Sequence, residues 1–195
     1  MKQGANSTLT RLAPDLTAGE AAVRIKMDWS DDPNEVMKRL MVTHEQYTDG
    51  ALLEALRAVE PLEDENHPAW DDIRYWHTHA CQLEALSRLA SQRRLEDAIP
   101  LILGRMCNGD PGEIMRRVCH GFESMVAPDY GRLATHYKVA ARSDRPGTRM
   151  WALIFLARLR DPATISVFGS ALHDTEPEVR NAAERGFQIL TGKKP

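Results

Sequence analysis

Apolar residues recur at intervals of three and four near the C-terminal end of the chain, with polar residues between them. One stripe precedes the polar turn 173–176, and a second begins after Pro177. This spacing places each stripe on one face of a helix. The pattern therefore predicts a helix–turn–helix unit over residues 161–190. We expect the apolar residues of both stripes to be buried between packed helices, namely Ile165, Phe168, Val179, Ala183 and Phe187.

A similar unit occurs twice upstream, over residues 127–160 and, less regularly, over residues 95–125. Because a single helix pair cannot bury its own stripe, neighbouring pairs must stack. The predicted fold is all-α, an α-solenoid of stacked antiparallel helix pairs. Positions 114, 148 and 179 become equivalent, at offsets of 34 and 31 residues. The equivalent sets are Ile114, Thr148 and Val179; Val118, Ala152 and Ala183; and Phe122, Leu156 and Phe187.

The last unit carries a sequence motif as well as a period. Its residues at the motif positions are Asp161, Pro162, Asp174, Pro177, Val179, Arg180, Ala182 and Ala183. The middle unit keeps Asp144, Pro146, Arg149 and Ala152, with Thr148 where valine is usual. Over residues 95–190 the chain resembles the short bacterial HEAT-repeat family. The resemblance implies a HEAT-like solenoid whose second helices form a concave, ligand-facing wall, in a family of scaffolds, inhibitors and a few enzymes.

The pattern divides the chain into three parts. Residues 1–28 are expected to form a flexible tail with a strand-like arm, residues 29–93 an N-terminal helical capping region, and residues 94–195 the HEAT-like repeats. Within residues 23–29, apolar and charged residues alternate, and this period of two is typical of a half-buried strand. The arm either pairs with a partner or a second copy of the chain, or lies extended on the helices. The oligomeric state is left open.

The net charge of −3 is unevenly distributed along the chain. Residues 1–90 carry 9 Lys and Arg against 16 Asp and Glu, a net charge of −7. Residues 91–195 carry 16 against 12, a net charge of +4. This asymmetry is either ordinary surface variation or a basic repeat surface for an acidic partner, with an acidic flank. Because the whole chain is acidic, we expect no nucleic acid to bind.

Cysteine usage and hydropathy bear on cellular location. The three cysteines, Cys81, Cys107 and Cys119, are odd in number and match no zinc spacing, which favours a reducing compartment. The N-terminal residues lack the apolar segment of a secretory signal. The longest apolar run, residues 150–157, is too short to cross a bilayer. We therefore predict a cytoplasmic protein that does not contact a membrane.

One local pattern raises the question of a metal. His77, His79 and Cys81 lie close together in the sequence. On a helix, however, His79 is rotated by about 200° from His77. A structural zinc site needs four ligands, and the sequence offers no obvious fourth. No phosphate-binding glycine loop or nucleophile motif occurs either. We predict no metal, no cofactor and no catalytic residue.

Arginines mark the predicted second helices. Each can pair with an aspartate of a turn in a structural ladder, or can face a ligand. Trp151 likewise either packs in the core or forms an exposed interaction hot spot. The partner-binding residues predicted on this basis are Arg117, Arg145, Arg149, Trp151 and Arg180.

The predicted function is to bind another protein through the concave face, as an adaptor or as a cognate inhibitor of the immunity type. The alternative is a HEAT-like DNA-binding enzyme of the alkylpurine glycosylase type. Those enzymes use Trp, Asp and Arg near the lesion, and this chain has Trp151, Asp144 and Arg149 in one unit. Phosphate binding favours a clearly basic protein, so a non-enzymatic function is preferred.

Overall fold

The computed structural model describes residues 37–38, 41, 48–58, 73–107 and 109–193. Residues 1–28, with their predicted strand-like arm, lie outside this part, as does much of the predicted capping region. All regular secondary structure within the described residues is helical, and no β-strand occurs among them. The all-α prediction is therefore confirmed for the described part of the chain.

From α2 onward the helices follow one another with short connections. In chain order they are α1 (Asp49–Ala58), α2 (Ile73–Gln92), α3 (Ala98–Leu103), α4 (Gly112–Val126), α5 (Gly131–Ala140), α6 (Pro146–Arg158), a single 3-10 turn (Pro162–Thr164), α7 (Ile165–Ala171) and α8 (Pro177–Thr191).

Proline and aspartate set the helix starts, as the sequence indicates. Pro146 and Pro177 occupy the first turns of α6 and α8, where the missing N–H removes no helical hydrogen bond. The side chain of Asp161 accepts a hydrogen bond from the backbone N–H of Ala163 at 2.9 Å and so caps the 3-10 turn. Helix α8 ends at Gly192, whose φ of +69° suits a residue without a Cβ.

The helices pack in neighbouring pairs around one core. Helix α2 lies along α4, α6 lies along α8, and the short turns join α5 to α6 and α7 to α8 as packed pairs. Four aromatic rings link α4, α5 and α6 at the centre. The Phe155 ring lies 6.1 Å from Phe122, 5.7 Å from Tyr137 and 5.8 Å from Trp151, measured between centroids.

The buried stripes follow the predicted pattern with two exceptions. Phe168, Val179 and Ala183 are fully buried, but Ile165 is 38% exposed and Phe187 is only partly buried. The expectation for Ile165 was wrong because the 3-10 turn before α7 changes the helical phase, and Thr164 is buried in its place. Phe187 lies near the end of α8, where no later helix of the described part covers it.

Position 148 shows why a polar residue can replace valine in the repeat. Thr148 is buried, and its hydroxyl donates a hydrogen bond to the carbonyl of Leu103 at 3.0 Å. This carbonyl belongs to the last residue of α3 and also accepts a hydrogen bond from the backbone N–H of Met106 at 3.2 Å. The Thr148 hydroxyl therefore adds a second bond at this helix end and links α6 to α3.

Candidate functional site

An apolar groove lies between α6 and α8. Its cavity volume is about 360 Å³. Helix α6 contributes Met150, Ile154 and Ala157, and α8 contributes Ala182, Gly186 and Ile189. Polar residues of α8 complete the lining, namely Glu178, Asn181 and Arg185. We call this surface the C-terminal groove.

Small residues explain why two packed helices leave this space. Ala157, Ala182 and Gly186 have little or no side chain at the positions where α6 and α8 line the groove. Gly186 also approaches α7 closely, because a Cβ built on it would lie only 2.0 Å from Cε1 of Phe168. Phe168 is fully buried and cannot easily move away. The close approach of α7 and α8 therefore depends on glycine at position 186.

The exposed side of the groove combines apolar and polar groups. Ile189 is 54% exposed and Ile154 is partly buried, whereas the other apolar residues of the lining are buried. Arg185 is exposed and forms no ion pair with another residue of the described part. The groove therefore presents an apolar surface beside a guanidinium group, a combination enriched in protein interfaces.

The predicted site residue Arg149 lies between two turns rather than in the groove. Its Nε and Nη2 donate to both carboxylate oxygens of Asp174, each at 2.8 Å. Its Nη1 donates to two carbonyls of its own turn, at 3.0 and 2.9 Å. The hydrogen bond to Asp174 raises the pKa of Arg149, and the same bond lowers the pKa of the Asp174 carboxyl. Both side chains are only 13% exposed, so this pair links the second and third units.

Arg180 and Arg145 bond to backbone carbonyls. Arg180 donates from Nη1 to two carbonyls of the turn before α8, both at 2.7 Å. Arg145 donates to the carbonyl of Gly104 just after α3, and its Nη2 lies 4.0 Å from Sγ of Cys107. Both guanidinium groups therefore fix turns of the chain in addition to any contact they make with a partner.

Arg117 joins α4 to α2 through a buried carboxylate. Its Nε and Nη2 donate to the two oxygens of Glu84 at 2.7 and 2.9 Å. The Glu84 side chain is only 1% exposed and also accepts a hydrogen bond from Arg88. The hydrogen bond to Glu84 raises the pKa of Arg117. This glutamate has no counterpart in the repeat motif, so the pair could not be predicted from that motif.

Trp151 is a core residue in the described structure. It is 7% exposed, and its Nε1–H donates to the carbonyl of Cys107 at 2.8 Å. None of the five predicted partner-binding residues lines the C-terminal groove. A signal for the groove was present in the sequence: Ile154 and Ile189 are apolar residues outside the buried stripes of their helices.

One group of buried side chains has the chemistry of metal ligands. His79 of α2 meets Cys107 and Asp110 of the connection between α3 and α4, and one donor atom of each lies within 4.8 Å of the others. His79 Nδ1 is 2.9 Å from Asp110 Oδ1. His77 and Cys81 are the neighbours of His79 in sequence, whereas its partners in the structure follow 28 and 31 residues later.

Cys119 is chemically quiet. Burial raises the pKa of its thiol to about 11, so the thiol stays protonated at neutral pH.

Among the described residues, no helix is both long enough and apolar enough to cross a bilayer. Comparison of the chain with protein-family models, with curated proteins and with solved structures gives no match.

Proposed function

We propose that this chain is a HEAT-like helical-repeat module of the cytoplasm that binds another protein through the C-terminal groove. The observation that carries the proposal is the groove itself, a cavity of about 360 Å³ between α6 and α8, with Ile189 exposed at its edge. An apolar concavity with a few polar groups at its edge is typical of a binding site.

The proposed solenoid has support from the packing of the last two units. Equivalent positions of α6 and α8 are buried, including Ala152 and Ala183. Helix α6 lies along α8, and Arg149 connects its own turn to Asp174 of the next. The Nη1 of Arg149 and that of Arg180 each donate to two carbonyls of the turn before their own helix, as equivalent positions of repeated units would.

The proposed occupant is an amphipathic helical segment of another protein, with carboxylates beside its apolar face. A helix lying in such a groove inserts side chains spaced three and four residues apart. A volume of about 360 Å³ accepts only a few such side chains. The net charge of +4 over residues 91–195 favours an acidic segment, and Arg185 is placed to pair with it. An adaptor and a cognate inhibitor would both use this mode of binding.

The glycosylase alternative has little support in the described structure. Its proposed residues would need to face an unstacked base. Trp151 is buried and hydrogen bonded to a backbone carbonyl. The three guanidinium nitrogens of Arg149 donate to Asp174 and to carbonyls of the turn before α6. Asp144 is exposed and does not line the C-terminal groove. We therefore retain a non-enzymatic function as the proposal.

A photo-crosslinking experiment tests the proposal. A photoreactive phenylalanine analogue placed at Ile189, in the groove, should capture one defined protein when the full chain is expressed in its native cells. The same analogue at Val139 of α5, which is 69% exposed and outside the groove, is the control. Capture of the same protein with equal yield at both positions, or no capture at position 189, would refute binding in the groove.

A further inference from the structure

The buried group formed by His79, Cys107 and Asp110 joins two parts of the chain. His79 lies in the middle of α2, whereas Cys107 and Asp110 lie three residues apart in the connection between α3 and α4. The side chains of His79 and Asp110 are 4% and 0% exposed, and Cys107 is also buried. Buried groups of these types must be hydrogen bonded, ion paired or bound to a metal.

The three side chains offer one nitrogen, one sulfur and one oxygen, which are the donor types of protein zinc sites. Tetrahedral coordination with bonds of about 2.0–2.3 Å places donors roughly 3.3–3.6 Å apart. The donors here lie within 4.8 Å of one another, and His79 Nδ1 is 2.9 Å from Asp110 Oδ1. Small side-chain rotations would therefore bring all three to coordination distance.

The spacing within the connection also suits a metal. Cys107 and Asp110 are separated by two residues, as are paired cysteines in many structural zinc sites. The backbone N–H of Cys107 donates to Oδ2 of Asp110 at 2.7 Å, so the connection already folds both side chains inward. A hydrogen bond of this kind to a ligand carboxylate is common around bound metals, because it orients the ligand.

The thiol has polar contacts of its own. Sγ of Cys107 donates a hydrogen bond to the carbonyl of Arg105 at 3.4 Å. The guanidinium of Arg145 lies 4.0 Å from that sulfur. Metals bind the deprotonated sulfur, so a bound ion would replace the thiol proton together with its hydrogen bond to Arg105.

The imidazole has a lone pair to offer. Nδ1 faces the Asp110 carboxylate, whereas Nε2 of His79 is buried and has no hydrogen-bond partner in the described part of the chain. Because Asp110 is itself a proposed ligand and lies beside Nδ1, coordination is through Nδ1 and replaces this one hydrogen bond.

Two tryptophans hold the backbone around this group. The Nε1–H of Trp151 donates to the carbonyl of Cys107 at 2.8 Å. On the other side of the connection, a Cβ built on Gly109 would lie 2.7 Å from the indole of Trp76. The backbone that carries Cys107 and Asp110 is thus fixed by large side chains, as a preorganised ligand set requires.

From this geometry we infer that His79, Cys107 and Asp110 form a zinc site, with a water molecule as the fourth ligand. The bound ion joins α2 to the connection before α4 and so stabilises the fold. This inference does not depend on the proposed function, because the site lies outside the residues that line the C-terminal groove.

Cobalt substitution of the full chain tests the site directly. Protein freed of metal with a chelator under reducing conditions is titrated with Co²⁺. We expect one equivalent to give visible d–d bands with the intensity of tetrahedral coordination and a near-ultraviolet sulfur-to-cobalt charge-transfer band. One equivalent of Zn²⁺ should remove both signals and raise the thermal midpoint. Absence of the charge-transfer band, or of any thermal shift with Zn²⁺, in the wild-type chain would overturn the inference.

Variants assign the ligands. Cys107→Ser should abolish the charge-transfer band, and Asp110→Asn should weaken Zn²⁺ binding at least tenfold. Cys119→Ser, which removes a buried thiol of α4 outside this group, should leave the band and the affinity unchanged. Far-ultraviolet circular dichroism confirms that each variant is folded. If the wild-type band persists in Cys107→Ser or disappears in Cys119→Ser, the sulfur ligand is another cysteine and the assignment is wrong.

Discussion

Replacing Gly186 with alanine should destabilise the protein, although alanine is the better helix former. A Cβ at position 186 would lie 2.0, 2.4 and 2.9 Å from three ring carbons of Phe168. Ordinary carbon contacts are about 3.5–4.0 Å, so the ring would have to retreat by roughly 1.5 Å. Phe168 is fully buried, so any movement of its ring disturbs the core around it.

The size of the effect follows from two opposing terms. Overpacking of a core costs about 1–3 kcal/mol, whereas glycine to alanine within a helix gains about 1 kcal/mol. Because the clash at position 186 is severe, we expect the overpacking cost near the upper end of that range. Gly186→Ala should therefore lower the free energy of unfolding by about 1–2 kcal/mol.

Urea unfolding followed by circular dichroism measures this change, and the chain supplies a matched control. Gly169 lies in α7, and a Cβ built on it meets nothing within 4 Å. Gly169→Ala should therefore stabilise by up to about 1 kcal/mol. In a Phe168→Leu background, which removes ring atoms, Gly186→Ala should become less costly by about 1 kcal/mol. A stabilising Gly186→Ala in the wild-type background would refute the close packing of α7 on α8.

Three further changes test other contacts, each by urea unfolding. Because Arg149 lowers the pKa of the Asp174 carboxyl below 3.8, the ionised group stabilises the folded state above about pH 4, and this contribution is lost as the pH falls through the folded pKa. The stability difference between wild type and Asp174→Asn should shrink in acid, and a difference independent of pH would contradict the pair. Phe187→Ala should cost clearly less than the roughly 3–5 kcal/mol of a fully buried phenylalanine, since Phe187 is only partly buried; an equal cost to Phe168→Ala would contradict the partial burial. Arg117→Gln should cost about 2 kcal/mol, because it removes the bidentate partner of a buried carboxylate, and no measurable cost would show that this partner is dispensable.

Local sequence pattern was sufficient for the helices and their buried faces. Val179 and Ala183 follow Pro177 with helical spacing, and both are buried as expected. The pattern failed at Ile165. The preceding three residues form a 3-10 helix, which rotates the following side chains relative to an α-helix, so Thr164 is buried and Ile165 is exposed. A period of 3.6 residues cannot reveal such a change, because the sequences of short 3-10 turns and of first α-helical turns are similar.

Contacts between distant segments could not be derived in this way. Trp151 was compatible with both a core and an exposed position, and its burial depends on a carbonyl 44 residues earlier. The partners of His79 are equally remote in sequence. The groove depends on helix spacing, which small residues such as Gly186 set together with the ring of Phe168. These features follow from the packing of several helices and not from the period of one.

The affinity of the crosslinked partner for variants of the groove tests the central claim most directly. With that partner purified, isothermal titration calorimetry should show binding to the wild-type chain that is weakened at least tenfold by Ile189→Glu and by Arg185→Glu. Val139→Glu, which adds the same charge at an exposed apolar position outside the groove, should bind as the wild type does. If the folded Ile189→Glu and Arg185→Glu variants bind with wild-type affinity, the partner does not occupy the C-terminal groove, and the proposed function is wrong.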